Sequence, residues 1–355
     1  MIKQLVSVSA AILLAACGTT LQTQQVTPEE MTSEAMKQRQ FALMELREVD
    51  AHVQEVGFRV LEAAVPMCEE QTGYSWGVTF WNEYDFTPEW RPAAQAELGV
   101  DKTVKVKLVI PGSAAAKAGL KAGDQIIKIN DRQVGQGSKA VTEADEYAEG
   151  LKRASPTAPV SIVYGRGDTV KTATLNPIKT CNYPVIMQNS FEINAYADGD
   201  NIIITRGIVE FTRNDEELAM IIGHELAHNV LRHIEKKQSQ MTAGMLGGLL
   251  LDVLIGSGGE MSNMGAQVGA SAYSPEYESE ADYMGLYATA LAGYDIAKAP
   301  YLWRRMGSRN TGSITMTSTH PPTAGRFVAL EKTVEEISKK VENNQPLVPE
   351  RKIEK

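Results

Sequence analysis

"IIGHELAHNVLRH", residues 221–233, holds three of the chain's five histidines. Ile221, Ile222, Leu226, Ala227 and Val230 supply the apolar face of a helix that packs inward. On such a helix His224 and His228 stand at i and i+4, so they project from one face about one turn apart. That spacing lets two imidazoles reach a single zinc ion. Glu225, beside the first, is out of line for ligation and placed to act on water instead. The chemistry is hydrolytic: zinc brings the pKa of its water toward ~7, and the carboxylate takes the proton as water attacks a peptide carbonyl.

A catalytic zinc needs a third protein ligand and an open fourth position. The H-E-x-x-H-x-x-G-x-x-H pattern does not supply it, because Leu231 takes the glycine position and Ile234 the last histidine position. His233 is one residue short. On a continuous helix it points about 100° away, which assigns it to the fold. Downstream, "YSPEYESEADYMGLYA" (273–288) offers carboxylates. Glu278 and Asp282 lie four apart on one helix face. One can bind the metal, and the other can accept a ligand histidine's second N–H. These residue types alone leave open which does which.

Three motifs in order carry a family resemblance: "HELAHNVLRH", "ESEAD" followed by Gly285, and "STHPPTAGR" (318–326). Over about residues 179 to 332 the chain resembles the gluzincin metallopeptidases that include HtpX-type and CAAX prenyl proteases. The resemblance implies one Zn2+ per chain on His224, His228 and Glu278, with Glu225 as general base. It implies Asp282 behind the ligands, Arg326 close by, and His320 near the metal. His320 then either stabilises the oxyanion of the tetrahedral intermediate or occupies the open zinc position and keeps the enzyme latent. "NAYADGDNIIITRGI" (194–208) resembles the family's strand beside the cleft, where Asn194 and Ala195 would meet substrate backbone by edge addition. Those relatives are integral membrane proteins, so their substrates are not carried over.

Residues 104–134, "VKVKLVIPGSAAAKAGLKAGDQIIKINDRQV", resemble a PDZ domain. Its peptide groove would begin at Trp76, Gly77 and Val78 and accept an extended C-terminus as an added strand. The loop over 81–103 is long for such a domain. His52, in the preceding helical segment, reads as a surface or structural residue.

The chain opens with Lys3, an apolar run and Leu14-Ala15-Ala16-Cys17, which resembles a lipoprotein signal peptide ending in a lipobox. Cleavage before Cys17 and lipid on its thiol would anchor the protein. Gly18 rather than Asp after the cysteine favours a Gram-negative outer membrane, facing the periplasm. In that compartment the two remaining cysteines, Cys68 and Cys181, are a disulfide candidate; the alternative is two separate buried thiols. Residues 241–259 are apolar but broken by glycines and Asp252, a packed helix rather than a span.

At 355 residues, 43% hydrophobic and 22% charged, the chain is long enough for two domains with real cores. A net charge of -9 argues against nucleic acid as a partner. The expected fold class is α+β: a mainly helical catalytic domain with a small inserted β-rich PDZ domain. The boundaries read as signal peptide 1–16, tether 17–27, N-terminal helix 28–72, PDZ domain 73–178, catalytic domain 179–338 and flexible tail 339–355. The expected function is zinc-dependent endoproteolysis of envelope proteins in quality control. The rival is a PDZ-bearing chaperone or adaptor that binds such proteins without cutting them.

Overall fold

The computed structural model describes residues 24–255, 273–309 and 324–350. Helix α1 (Pro28–Ala63) starts on a capping box: the Thr27 hydroxyl accepts the Glu30 N–H, and the Glu30 carboxylate accepts the Thr27 N–H. Its later residues Val53, Val56 and Val60 are fully buried in the large core that also holds the motif helix.

The β-rich insertion leaves and rejoins this core through a narrow neck. Strand β1 (Thr72–Ser75) pairs antiparallel with β8 (Ile178–Cys181), and a disulfide joins Cys68 to Cys181. Between them, β2 (Val78–Trp81), β3 (Lys105–Val109), β4 (Gln125–Ile129), β6 (Val160–Arg166) and β7 (Thr169–Leu175) form a sheet in that order, with β5 (Arg132–Gln133) beside β4. Helices α3 (Ala114–Lys117) and α4 (Ala140–Ala154) cover it, and Val106, Leu120, Ile126, Ile162 and Leu175 fill its core. The long loop expected over 81–103 contains a helix of its own, α2 (Arg91–Leu98). Its Ala93 and Ala94 pack with Trp81 and Val100 against Leu43 of α1. Lys107 pairs with Asp50 at 2.6 Å and Arg39 with Glu89, so the insertion is docked along α1.

Beyond the neck, β10 (Ala195–Ala197), β11 (Ile202–Thr205) and β9 (Val185–Gln188) form a three-stranded sheet with β11 central. Strand β11 stops at Thr205. There the Thr205 hydroxyl accepts the Ile208 N–H at 3.3 Å and caps α5 (Arg206–Phe211). Then come α6 (Asp215–Val230), α7 (His233–Ile255), α8 (Pro275–Leu291), α9 (Ala299–Arg309) and α10 (Ala324–Glu342). Two expectations need correction. Residues 339–342 complete α10 rather than opening a flexible tail, and Lys340 Nζ donates to Val348 O at 2.9 Å, which ties the stretch after the helix back to it. Part of the segment read as a packed helix is exposed in α7, where Met245 and Leu246 face solvent. Among the described residues no helix is long and apolar enough to cross a membrane.

Candidate metal centre

Helix α6 is buried on every side from Glu217 to Asn229, as a helix through the middle of a core must be. Asn214 caps its start by accepting the Glu217 N–H at 3.0 Å. Asn229 fastens its end to the β10–β11 turn, donating to Asn201 O and accepting from Gly199 N–H, each at 2.9 Å. Helix α8 crosses α6 where both carry glycine. A Cβ on Gly223 would lie 2.7 Å from Gly285 O, and one on Gly285 would lie 2.8 Å from His224 N. The missing side chains let the backbones touch, and this brings the acids of α8 over the histidines of α6.

His224, His228 and Glu278 are each 0% exposed and meet there. One ligand-capable atom from each lies within 4.8 Å of the others. The two Nε2 atoms are 3.1 Å apart; His224 Nε2 is 3.6 Å from Glu278 Oε2, and His228 Nε2 is 3.5 Å from Glu278 Oε1. Glu225 follows His224 on the same buried helix. Behind the cluster, His224 Nδ1 stands 3.0 Å from Asp282 Oδ1. Arg326 grips Asp282 with Nε and Nη2 at 2.7 and 2.8 Å, and reaches Glu278 Oε2 with Nη1 at 2.8 Å. Burial works against charge on Asp282, but Arg326 and His224 outweigh it and hold the carboxyl below its ordinary range. Burial likewise opposes charge on Arg326, and Asp282 with Glu278 keeps it above its ordinary value.

His233 does not follow the continuous-helix reading. Helix α6 ends at Val230, Arg232 adopts φ +54°, and α7 begins at His233. The turn swings the ring back, so His233 Nδ1 lies 2.9 Å from His228 Nδ1 and His233 Nε2 lies 3.2 Å from Glu280 Oε2. Burial pushes His233 down to about 4, against the pull of Glu280. Tyr273 stacks on the His228 ring with centroids 4.1 Å apart. Burial, then Glu225 and Glu278, push its phenol above the ordinary range, so it stays protonated.

The other residues named from sequence lie on or beside strands β2 and β10, or outside the described residues. Ala195 opens β10, which pairs with β11 at the sheet edge; Asn194 precedes it and donates its N–H to Thr205 Oγ1 at 3.2 Å. Trp76 and Gly77 lead into Val78, the first residue of edge strand β2. Gly77 has φ +66°, and a Cβ there would meet Ser113 Cβ at 2.1 Å, so only glycine fits. Lys152 Nζ sits 5.1 Å from the centroid of the buried Trp76 ring. Cys17 and His320 lie outside the described residues.

Residues 170–334 match the model of peptidase family M48, and residues 105–164 match a PDZ domain model. This chain carries a peptidase family M48 domain. The opening residues of the M48 match fall on β7, which is hydrogen-bonded into the insertion's sheet. The chain is similar to the mitochondrial metalloendopeptidase OMA1 of Arabidopsis thaliana, 28% identical over 157 residues that make up 43% of this chain and 32% of that protein. It is also similar to the beta-barrel assembly-enhancing protease of Yersinia pestis, 26% identical over 166 residues, 42% of this chain and 34% of that protein. The chain thus spans about a third of the length of these two curated relatives. A solved HtrA3 PDZ domain bound to a phage-derived ligand aligns with 31% of this chain and 88% of its own length, at 21% identity and a TM-score of 0.21.

Proposed function

We propose that this chain is a zinc metalloendopeptidase in which His224, His228 and Glu278 hold the metal and Glu225 is the general base. The observation that carries the reading is the fully buried His224–His228–Glu278 cluster within a segment matched by the M48 model. The donor set fits zinc. Arms of about 2.0–2.1 Å at the tetrahedral angle put neighbouring donors about 3.3–3.4 Å apart. The separations of 3.1, 3.5 and 3.6 Å lie around that value. When bound, zinc supplies the Lewis acidity that makes water a nucleophile near neutral pH. Glu225 accepts the proton given up in the attack and returns it to the leaving amine. Asp282, fixed by Arg326, accepts from His224 Nδ1 and turns its Nε2 lone pair toward the cluster. His320 acts on the oxyanion or guards the open position.

The substrates in this reading are misfolded or unassembled envelope proteins. Their termini are presented by the PDZ domain through Trp76, Gly77 and Val78, and their backbones pair along β10 at Asn194 and Ala195. A lipid on Cys17 holds the enzyme at the outer membrane, facing the periplasm. The test is digestion of an unfolded model protein by the purified, zinc-loaded chain. Glu225→Gln should lower kcat by about 10²–10⁴-fold, the share a general base contributes, while zinc content stays near one ion per chain. A wild-type chain that binds substrate but does not cut it, or a Glu225→Gln variant that cuts as fast, would support the adaptor reading instead.

A further inference from the structure

The metal-site reading accounts for His224 and its carboxylate partner but leaves His233 without a task. We propose that His233, backed by Glu280, is a positioning residue that accepts the Nδ1–H of His228 and thereby fixes which nitrogen of that ligand faces the metal. The proposal rests on the metal-site reading. His228 turns Nε2 into the cluster, 3.1 Å from His224 Nε2 and 3.5 Å from Glu278 Oε1. A neutral imidazole that ligates through Nε2 carries its proton on Nδ1. That Nδ1 lies 2.9 Å from His233 Nδ1, which must then be the acceptor and carry its own proton on Nε2. The Nε2–H in turn points to Glu280 Oε2 at 3.2 Å. One arrangement of protons satisfies all three links: His228 donates to His233, and His233 donates to Glu280. Turning the chain around would put a proton on His228 Nε2 and block its lone pair.

The backbone and the neighbouring rings both hold this geometry. Arg232, a non-glycine residue at φ +54°, breaks the helix so that His233 returns to His228, a conformation that costs on the order of 1 kcal/mol. Tyr273 stacks on His228 at 4.1 Å and Tyr277 on His233 at 4.5 Å, so neither buried ring can turn over without losing a flat contact. Each ligand histidine therefore has its own outer acceptor, Asp282 for His224 and His233 for His228.

The test is zinc affinity of the full chain, measured by competition with a chromogenic chelator. His233→Phe keeps a ring against Tyr277 but has no acceptor; His233→Asn is smaller but places an oxygen acceptor near the Nδ1 position. We expect His233→Phe to weaken zinc binding by about 10–100-fold, the usual loss on removing an outer partner of a ligand, and His233→Asn to stay near wild type. If His233→Phe binds like wild type, or His233→Asn loses as much as His233→Phe, packing is the role and the proposal fails. Should His233→Phe not fold, Glu280→Ala and Glu280→Gln carry the test. The alanine variant should bind zinc more weakly and the glutamine variant, which keeps an acceptor, should not; equal affinities overturn the proposal. A wild-type chain that binds no zinc removes the metal-site reading and this inference together. Wild-type binding with insensitive variants removes this inference alone.

Discussion

Gly285 offers a test in which two well-known effects carry opposite signs. By helix propensity alone, Gly285→Ala inside α8 should stabilise the protein by about 1 kcal/mol. The crossing says otherwise. The new methyl would sit 2.8 Å from His224 N and 2.9 Å from its Cα, both backbone atoms. Non-bonded carbon contacts begin near ~3.5 Å, so α6 and α8 would have to part by roughly 0.7 Å. Overpacking costs about 1–3 kcal/mol, and the upper end applies because no flexible side chain can move aside. The net expectation is a loss of about 2 kcal/mol, roughly thirtyfold in the folded-to-unfolded ratio. Gly150 in α4 is the control, since a Cβ there meets nothing within 4 Å. Gly150→Ala should therefore stabilise by up to ~1 kcal/mol. Urea unfolding of both variants without metal, followed by far-ultraviolet circular dichroism, reads the contrast. Zinc affinity should fall for Gly285→Ala, because Glu278 and Asp282 ride on the displaced helix. A Gly285→Ala protein as stable as Gly150→Ala would refute the close crossing, and with it the placement of the α8 acids over the histidines.

Particular contacts elsewhere give three more expected outcomes. Arg326→Met should destabilise the protein by about 3–5 kcal/mol in urea unfolding, because Asp282 and Glu278 are left buried without their cation. Adding Asp282→Asn should recover part of that loss, and strict additivity of the two changes would argue against the pair. Glu217 is held below its ordinary value: burial opposes its charge, but Arg305 and the Arg213 N–H outweigh it. A depressed carboxyl adds stability above its unfolded pKa of about 4.3 and loses it as pH falls toward the folded value. Glu217→Gln should thus be about 1.5–3 kcal/mol less stable at neutral pH, with a gap that closes in acid; a gap that widens below pH ~4 contradicts the assignment. Cys68→Ser with Cys181→Ser opens a link between residues 113 apart, and the midpoint of thermal unfolding should drop. Loop entropy allows up to about 4–5 kcal/mol, and less is expected because the β1–β8 ladder already draws the neck together. If both cysteines react with a thiol reagent in unreduced, denatured protein, that prediction has no basis.

The motif helix and the acids of α8 were readable because the proposed ligation restricts both residue type and spacing. Two histidines at i and i+4 and two carboxylates at i and i+4 are patterns that a regular helix turns directly into geometry. Other features rested on local backbone choices that the residue types do not advertise. Thr205 ends β11 and caps α5, yet the run of isoleucines before it and Ile208, Val209 and Phe211 after it reads as one long strand. The helix α2 that packs the insertion onto α1 begins at Arg91–Pro92, after a Trp90 whose side chain makes no cap bond, so Pro92 was its one start signal. Gly223 and Gly285 were each visible as glycines, but that they face one another is a fact of tertiary packing.

His233 stands elsewhere than a continuous helix would put it, and the cause is specific. A continuous helix places residue i+5 on a different face from residue i, so an unbroken α6 would indeed carry His233 away from the face of His224 and His228. The backbone leaves that path at Arg232, in a left-handed conformation that glycine or asparagine commonly marks and arginine does not. The usable signal lay in the partners. Tyr273 just before α8 and Tyr277 and Glu280 on it flank Glu278, and they supply a stacking face for each of His228 and His233 and an acceptor for His233. A histidine five residues past His228, facing two aromatics and an acid around the start of α8, fits a partner of His228 better than an isolated core position. Helix periodicity describes only the ligands, whereas the direction of the proton on His228 depends on where the helix stops.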